Sequence, residues 1–258
     1  MAEVTRHEPG SFCWPELATS DTVGAKRFYS GVFGWAANDV PAGPEMTYTM
    51  LQLEGRDAGA LYEMEKAQRE QGIPPHWNTY VSVESAEEAV KKAKMLGGTV
   101  IAEPFDVMDA GRMAILQDPA GAVFCVWQAK GNIGARVINE PGALCWSELD
   151  TNDTGAAGRF YTQLFGWTAK ESPEYTEFHR GGTPIGGMMR IPKEWGEVPP
   201  NWLPYFAVTD CDATAATAGE LGGSAMVPPT DIPDVGRFAV LRDPQGAVFA
   251  VVKLSGAA

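Results

Sequence analysis

The sequence predicts an α+β protein assembled as a tandem duplication, with two βαβββ units in each copy. Internal repetition carries most of that expectation. Residues 8–37 return as residues 140–169 at an offset of 132, with 18 identities in 30 positions, among them Cys13-Trp14-x-Glu16-Leu17 against Cys145-Trp146-x-Glu148-Leu149. A second block ends in Asp118-Pro119-x-Gly121-Ala122-Val123-Phe124 and recurs as Asp243-Pro244-x-Gly246-Ala247-Val248-Phe249, now at an offset of 125. The second copy is therefore seven residues shorter in its middle. The repeats divide the chain into domains at 8–129 and 140–254, joined by a linker over 130–139 that contains Gly131 and Gly134. Apolar residues that alternate in some segments and fall at helical spacing in others supply the α+β character.

Within the first copy, residues 12–17 read as a strand. Thr19-x-Asp21 then offers helix N-cap chemistry, Val23, Phe28, Val32 and Phe33 follow at helical spacing, and Gly34 ends the helix. Residues 46–53 and 57–63 read as strands joined by Glu54-Gly55-Arg56, and 64–72 as a short solvated helix. After a Pro-rich loop, Tyr80–Val83 is a strand and 84–96 an amphipathic helix stopped by Gly97-Gly98. Three more strands are expected at 99–105, 112–117 and 122–128. The last two are joined by the Asp118-Pro119-x-Gly121 turn, where proline presets φ and glycine accepts a positive one.

Composition narrows the function classes. Of 258 residues, 45% are apolar and 21% charged, which is a globular balance rather than a disordered one. A formal net charge of −13 and the lack of Lys/Arg clusters argue against nucleic acid or an anionic membrane as partner. No apolar run reaches the roughly 20 residues of a membrane helix, and residues 1–9 lack the apolar stretch of a secretory signal. Four cysteines without CxxC spacing fit a reducing cytoplasm. The expected form is a monomer or weak homodimer.

The opening strand, the helix starting at Asp21, Phe28-Tyr29-x-x-x-Phe33-Gly34-Trp35, the closing Asp118-Pro119-x-Gly121 and their counterparts in the second copy resemble the vicinal oxygen chelate superfamily. That superfamily contains glyoxalase I, bleomycin-resistance proteins and extradiol dioxygenases, and the likeness spans essentially the whole chain. In particular the chain resembles two-domain glyoxalase-like members that carry a "hydroxylase" label. The resemblance implies two mixed sheets, each curled into a cup. It also implies metal-ligand positions, which fall on Trp14, Asn78 and Cys125 in the first copy and on Trp146, Leu203 and Ala250 in the second. These side chains make a poor divalent site, and none of the three histidines (His7, His76, His179) falls there, so no metal and no cofactor is expected.

Strand alternation assigns the cup faces: Phe12, Trp14 and Glu16 with Asn78, Tyr80, Ser82, Val123, Cys125 and Trp127, and in the second copy Leu144, Trp146, Glu148, Leu203, Tyr205, Ala207, Val248, Ala250 and Val252. Cys13 and Cys145 are placed on the opposite face. His76 is placed at a cup rim as a ligand contact, and Trp77 and Trp202, in the corresponding loops, are expected either to cover the cups as ligand contacts or to staple the loops. The expected function is metal-independent binding of a small apolar or aromatic molecule, in a sequestering, resistance or detoxifying role. A second reading is a cofactor-free isomerase, lyase or hydroxylase-like enzyme with Glu16 or Glu148 as acid–base group. A third is a glyoxalase-type metalloenzyme with displaced ligands, such as Glu16 with His76. The structural alternative for each glutamate is an ion pair with an arginine such as Arg112 or Arg237.

Overall fold

The computed structural model describes residues 3–43 and 46–255. The first half runs β1 (Phe12–Thr19), α1 (Thr22–Phe33), β2 (Ala36–Pro41), β3 (Thr47–Leu53), β4 (Arg56–Glu63), α2 (Lys66–Glu70), β5 (His76–Ser82), α3 (Ala86–Met95), β6 (Thr99–Val107), β7 (Gly111–Gln117) and β8 (Val123–Ala129). The second half repeats the plan as β9 (Leu144–Thr151), α4 (Thr154–Phe165), β10 (Thr168–Glu171), β11 (Thr176–Arg180), β12 (Thr183–Arg190), β13 (Asn201–Ala207), α5 (Cys211–Glu220), β14 (Ser224–Ile232), β15 (Gly236–Arg242) and β16 (Val248–Leu254).

Each half forms one eight-stranded sheet, curled but not closed. The strand orders β2-β3-β4-β1-β5-β8-β7-β6 and β10-β11-β12-β9-β13-β16-β15-β14 are the same order written twice. Both sheets are mixed, because β1 runs parallel to β4 and β5 parallel to β8, as β9 does to β12 and β13 to β16. The helix signals work as expected: Asp21 Oδ1 accepts the Gly24 N–H at 3.0 Å, and Gly34 closes α1 at φ 73°. Strands β2 and β10 were not among the strands expected by residue number. They are sheet edges with almost wholly exposed side chains, so no apolar alternation marks them.

Two expected side-chain directions are corrected. Alternation puts Phe12 on the cup face with Trp14, and Leu144 with Trp146. A β-bulge between Phe12 and Trp14, matched by a register shift opposite Leu144 and Trp146, inserts one residue and reverses the first side chain of each strand. Phe12 and Leu144 therefore enter the shared core, while Cys13 and Cys145 join the cup-side clusters.

The two cups face outward and the halves pack through their helical sides into one apolar core. Here α1 meets α5, α3 meets α4 and β5 meets β13. Phe12 lies 5.4 Å from Trp167 and 5.1 Å from Trp202, and Phe33 lies 5.0 Å from Phe206 (ring centroids). The clasp is reciprocal: Trp35 Nε1 donates to the Gly142 carbonyl at 2.8 Å, and Trp167 Nε1 to the Gly10 carbonyl at 2.7 Å. Trp77 and Trp202 also belong to this core and donate to Tyr29 and Tyr161 at 3.2 and 2.9 Å, so they do not stand at the cup rims.

The closing turn of the second half is tied across the interface. Asp243 Oδ1 accepts three backbone N–H groups of its own turn, and Oδ2 accepts the Tyr29 hydroxyl at 2.9 Å. Tyr29→Phe removes the hydroxyl that donates to Asp243 Oδ2, while Oδ1 keeps its three backbone donors, and leaves the Trp77 indole without its acceptor. We expect a loss of about 1–3 kcal/mol in chemical denaturation with the fold retained. A loss below a few tenths would show that the hydroxyl merely fills space.

Residues 130–139 do not hang free. Ala135 and Val137 are buried, the Ala135 N–H donates to the Cys13 carbonyl at 2.8 Å, and the Arg136 N–H donates to Asp57 O at 2.7 Å. The bulge leaves the Cys13 carbonyl facing outward, and the segment satisfies it while adding Ala135 and Ile138 to the first cup's apolar cluster.

Candidate functional site

Glu16 and Glu148 sit on central strands, each flanked by one parallel and one antiparallel neighbour. Glu16 is opposite Ala60 and Asn78, and Glu148 is opposite Gly187 and Leu203. Both are buried, at 7% and 8% exposure. Neither pairs with an arginine: Arg112 binds Glu87 and Asp106, and Arg237 binds Asp212 and Asp231, outside the cups.

Tyrosines hold the glutamates instead. In the first cup Tyr48 donates to Glu16 Oε1 and Tyr80 to Oε2, each at 2.7 Å, with Asn78 Nδ2 at 3.4 Å. Trp14 Nε1 in turn donates to the Tyr48 hydroxyl at 3.0 Å. In the second cup Tyr205 donates to Glu148 Oε1 at 2.7 Å, and Trp146 Nε1 donates to Tyr175 at 2.9 Å. Burial raises the pKa of both glutamates, and the phenol hydrogen bonds partly offset it, from Tyr48 and Tyr80 on Glu16 and from Tyr205 and Tyr175 on Glu148.

The rest of each floor differs. In the first cup Tyr62 and Asn78 extend the polar cluster, with Asn78 Nδ2 3.4 Å from the Tyr62 hydroxyl, and Met113, Cys125 and Trp127 form the apolar part. Cys125 is buried and its thiol is pushed up, by burial first and by the charge of Glu16 second, which makes it a poor nucleophile. Trp127 donates to the Asn132 carbonyl at 2.9 Å, and His76 Nδ1 lies 2.8 Å from the Pro74 carbonyl rather than on Glu16. The second floor is Leu203, Tyr205, Val240, Ala250 and Val252, with Trp146, Phe238 and Val248 half-buried around it.

Asp150 stands two residues beyond Glu148 on the same face of β9, where the first copy has Ala18. It is 4% exposed, its Oδ1 makes no hydrogen bond, and its pKa is pushed up to about 8 by burial and by the neighbouring Glu148 charge. Alternation along Glu148-x-Asp150 could have revealed this residue in the sequence. The recurring Tyr-Thr at Tyr48-Thr49 and Tyr175-Thr176 likewise marks the second tyrosine on each glutamate.

A metal of the kind the resemblance implies does not fit these cups. At the first-strand positions both indole nitrogens are hydrogen-bond donors engaged by tyrosines, and the partner positions hold Asn78 with a buried thiol, or Leu203 with Ala250. Among the described residues no three His, Cys, Asp or Glu side chains converge as a metal site. Two clefts lie outside the cups: one of 260 Å³ bordered by His7, Ser82 and Gln128, and one of 200 Å³ along α4.

A family profile described as the glyoxalase/bleomycin resistance protein/dioxygenase superfamily matches residues 12–126, and one described as a glyoxalase-like domain matches residues 146–252. The chain is 41% identical to "Putative glyoxylase CFP32" of Mycobacterium tuberculosis (strain CDC 1551 / Oshkosh), covering 98% of both chains. It is 37% identical to "Anthracycline biosynthesis protein DnrV" of Streptomyces peucetius, covering 97% of this chain and 96% of that one. Among solved structures, the Mn(II)-bound glyoxalase from Novosphingobium aromaticivorans superposes with a TM-score of 0.66 at 13% identity, covering 95% of this chain and 82% of that one. The 2,3-dioxygenase LapB from Pseudomonas sp. KL28 gives 0.64 at 12% identity, covering 98% and 93%. Those two likenesses speak for the fold alone. With two matching domains in tandem and full-length relatives at this identity, the chain belongs to the glyoxalase/bleomycin resistance protein/dioxygenase superfamily.

Proposed function

We propose that this protein binds a small, flat, apolar or aromatic molecule in a cup, with the polar end of the ligand directed at the cup glutamate and no metal taking part. The observation that carries the reading is the tyrosine-held, buried glutamate at the floor of an apolar, aromatic-walled concave sheet. The relatives named for anthracycline biosynthesis support the aromatic ligand class, since their shared length includes both cups. The role is sequestration or detoxification by a monomer or weak homodimer, and a reducing cytoplasm accords with four cysteines that are all free.

Titration with 1,8-dihydroxyanthraquinone, followed by quenching of tryptophan fluorescence, tests the reading. Glu16→Gln and Glu148→Gln keep the shape and turn one acceptor oxygen into a donor that a neighbouring tyrosine hydroxyl can accept, so a binder should lose less than about tenfold in affinity, or 1.4 kcal/mol. If either variant instead costs roughly 10²–10⁴ in turnover of a converted substrate, the protein is an acid–base enzyme and not a binder.

A further inference from the structure

We propose that the second cup carries a subsite for an organic cation, in which the ammonium group of an amine with an apolar body seats on Asp150 beside Glu148. The inference rests on the binding reading above and names a ligand class for one of its two cups.

The geometry is that of an acceptor without a donor. Asp150 lies on the cup face of β9 between β12 and β13, opposite Met189 and Asn201. The amide of Asn201 is turned to the Pro199 carbonyl at 3.0 Å, and methionine offers no proton. The titratable groups around Asp150 are Glu148, Tyr175 and Tyr205, all acids. The bases on β10, β11 and β12 are engaged elsewhere: Lys170 and His179 with Glu177, Arg180 with the Pro9 carbonyl and Glu8, and Arg190 with the Asn152 carbonyl. A buried carboxyl oxygen left bare costs about 1–3 kcal/mol, and more when it is charged. The first cup shows that the fold does not require the cost, because Ala18 fills the same place there.

An ammonium group satisfies the site. It donates to Asp150 Oδ1, offsets the paired negative charge of the floor, and lays its apolar substituent along the floor towards Leu203, Ala250 and Val240. Asp150 enters as the neutral acid below its raised pKa of about 8, the ligand arrives as the ammonium ion, and the carboxyl proton leaves to the buffer as the ion pair forms.

The test uses the full chain, with 2-naphthylmethylamine and 2-naphthylmethanol as probes, by isothermal titration at pH 7 in phosphate and in Tris. The amine should bind at least about tenfold tighter than the alcohol. Its binding heat should depend on the buffer as release of close to one proton requires. In Asp150→Asn, with its circular dichroism unchanged, the preference and the proton release should both vanish while the alcohol still binds. Equal affinities for the two probes in the wild type would overturn the cation subsite and leave the binding reading intact. An amine preference that survives Asp150→Asn, or displacement of the amine by millimolar calcium, would also overturn it. Failure of both probes would remove the subsite together with the reading beneath it.

Discussion

Phe206→Ala is expected to destabilise the whole chain by about 3–5 kcal/mol, the cost of a deep aromatic cavity. Phe206 belongs to β13 of the second half, is fully buried, and has ring neighbours mostly from the first half: Phe33 at 5.0 Å, Trp77 at 5.3 Å and Trp35 at 5.4 Å. The cavity would therefore open between the halves rather than inside one. Both should unfold together, so far-UV circular dichroism and tryptophan fluorescence should report one coincident denaturant transition, shifted to lower midpoint with an unchanged slope. Two separated transitions in the variant would show that each half carries a sufficient core of its own.

Asp150→Asn should make the protein more stable, and increasingly so as pH rises. In the folded chain Asp150 titrates near 8, whereas an exposed aspartate titrates near the ordinary 3.8. Between those values the folded state holds a proton that the unfolded state has lost, so stability falls with pH across that window and levels off above it. Below about pH 4 both states are protonated and the penalty is absent. The asparagine variant lacks this titration, so its advantage should grow by up to about 1.4 kcal/mol per pH unit between pH 4 and 8. Urea midpoints for both proteins from pH 4 to 9 measure it. A difference that is flat with pH would mean that Asp150 ionises in the folded state as it does in water. A residue that weakens its protein and is absent from the twin cup is better explained by what it binds than by what it holds together.

Much of this was legible in the sequence, and the gaps have physical causes. The duplication, the helix caps at Asp21 and Gly34 and the Asp118 turn depend on local residue chemistry, which a single chain displays openly. The directions of Phe12 and Cys13 were not legible, because one inserted residue in β1 reverses a two-residue rhythm without changing composition. Trp77 and Trp202 look the same in sequence whether they face a ligand or the other half, and the packing of two sheets decides between these. Glu16 and Glu148 were identified as buried acids, while their partners on β3 and just ahead of β11 were missed. Tyr48, on β3, and Tyr175, at the entry to β11, come from segments brought alongside only by the curl of the sheet.

When two identical subunits make such a clasp, every mutation lands in both at once, and a costly change must be tolerated twice. Joining the copies through the buried stretch around Ala135 lifts that constraint. One hollow can keep the conservative alanine and secure the fold, while its sibling is free to diverge, accept a destabilising acid and acquire a separate chemical preference.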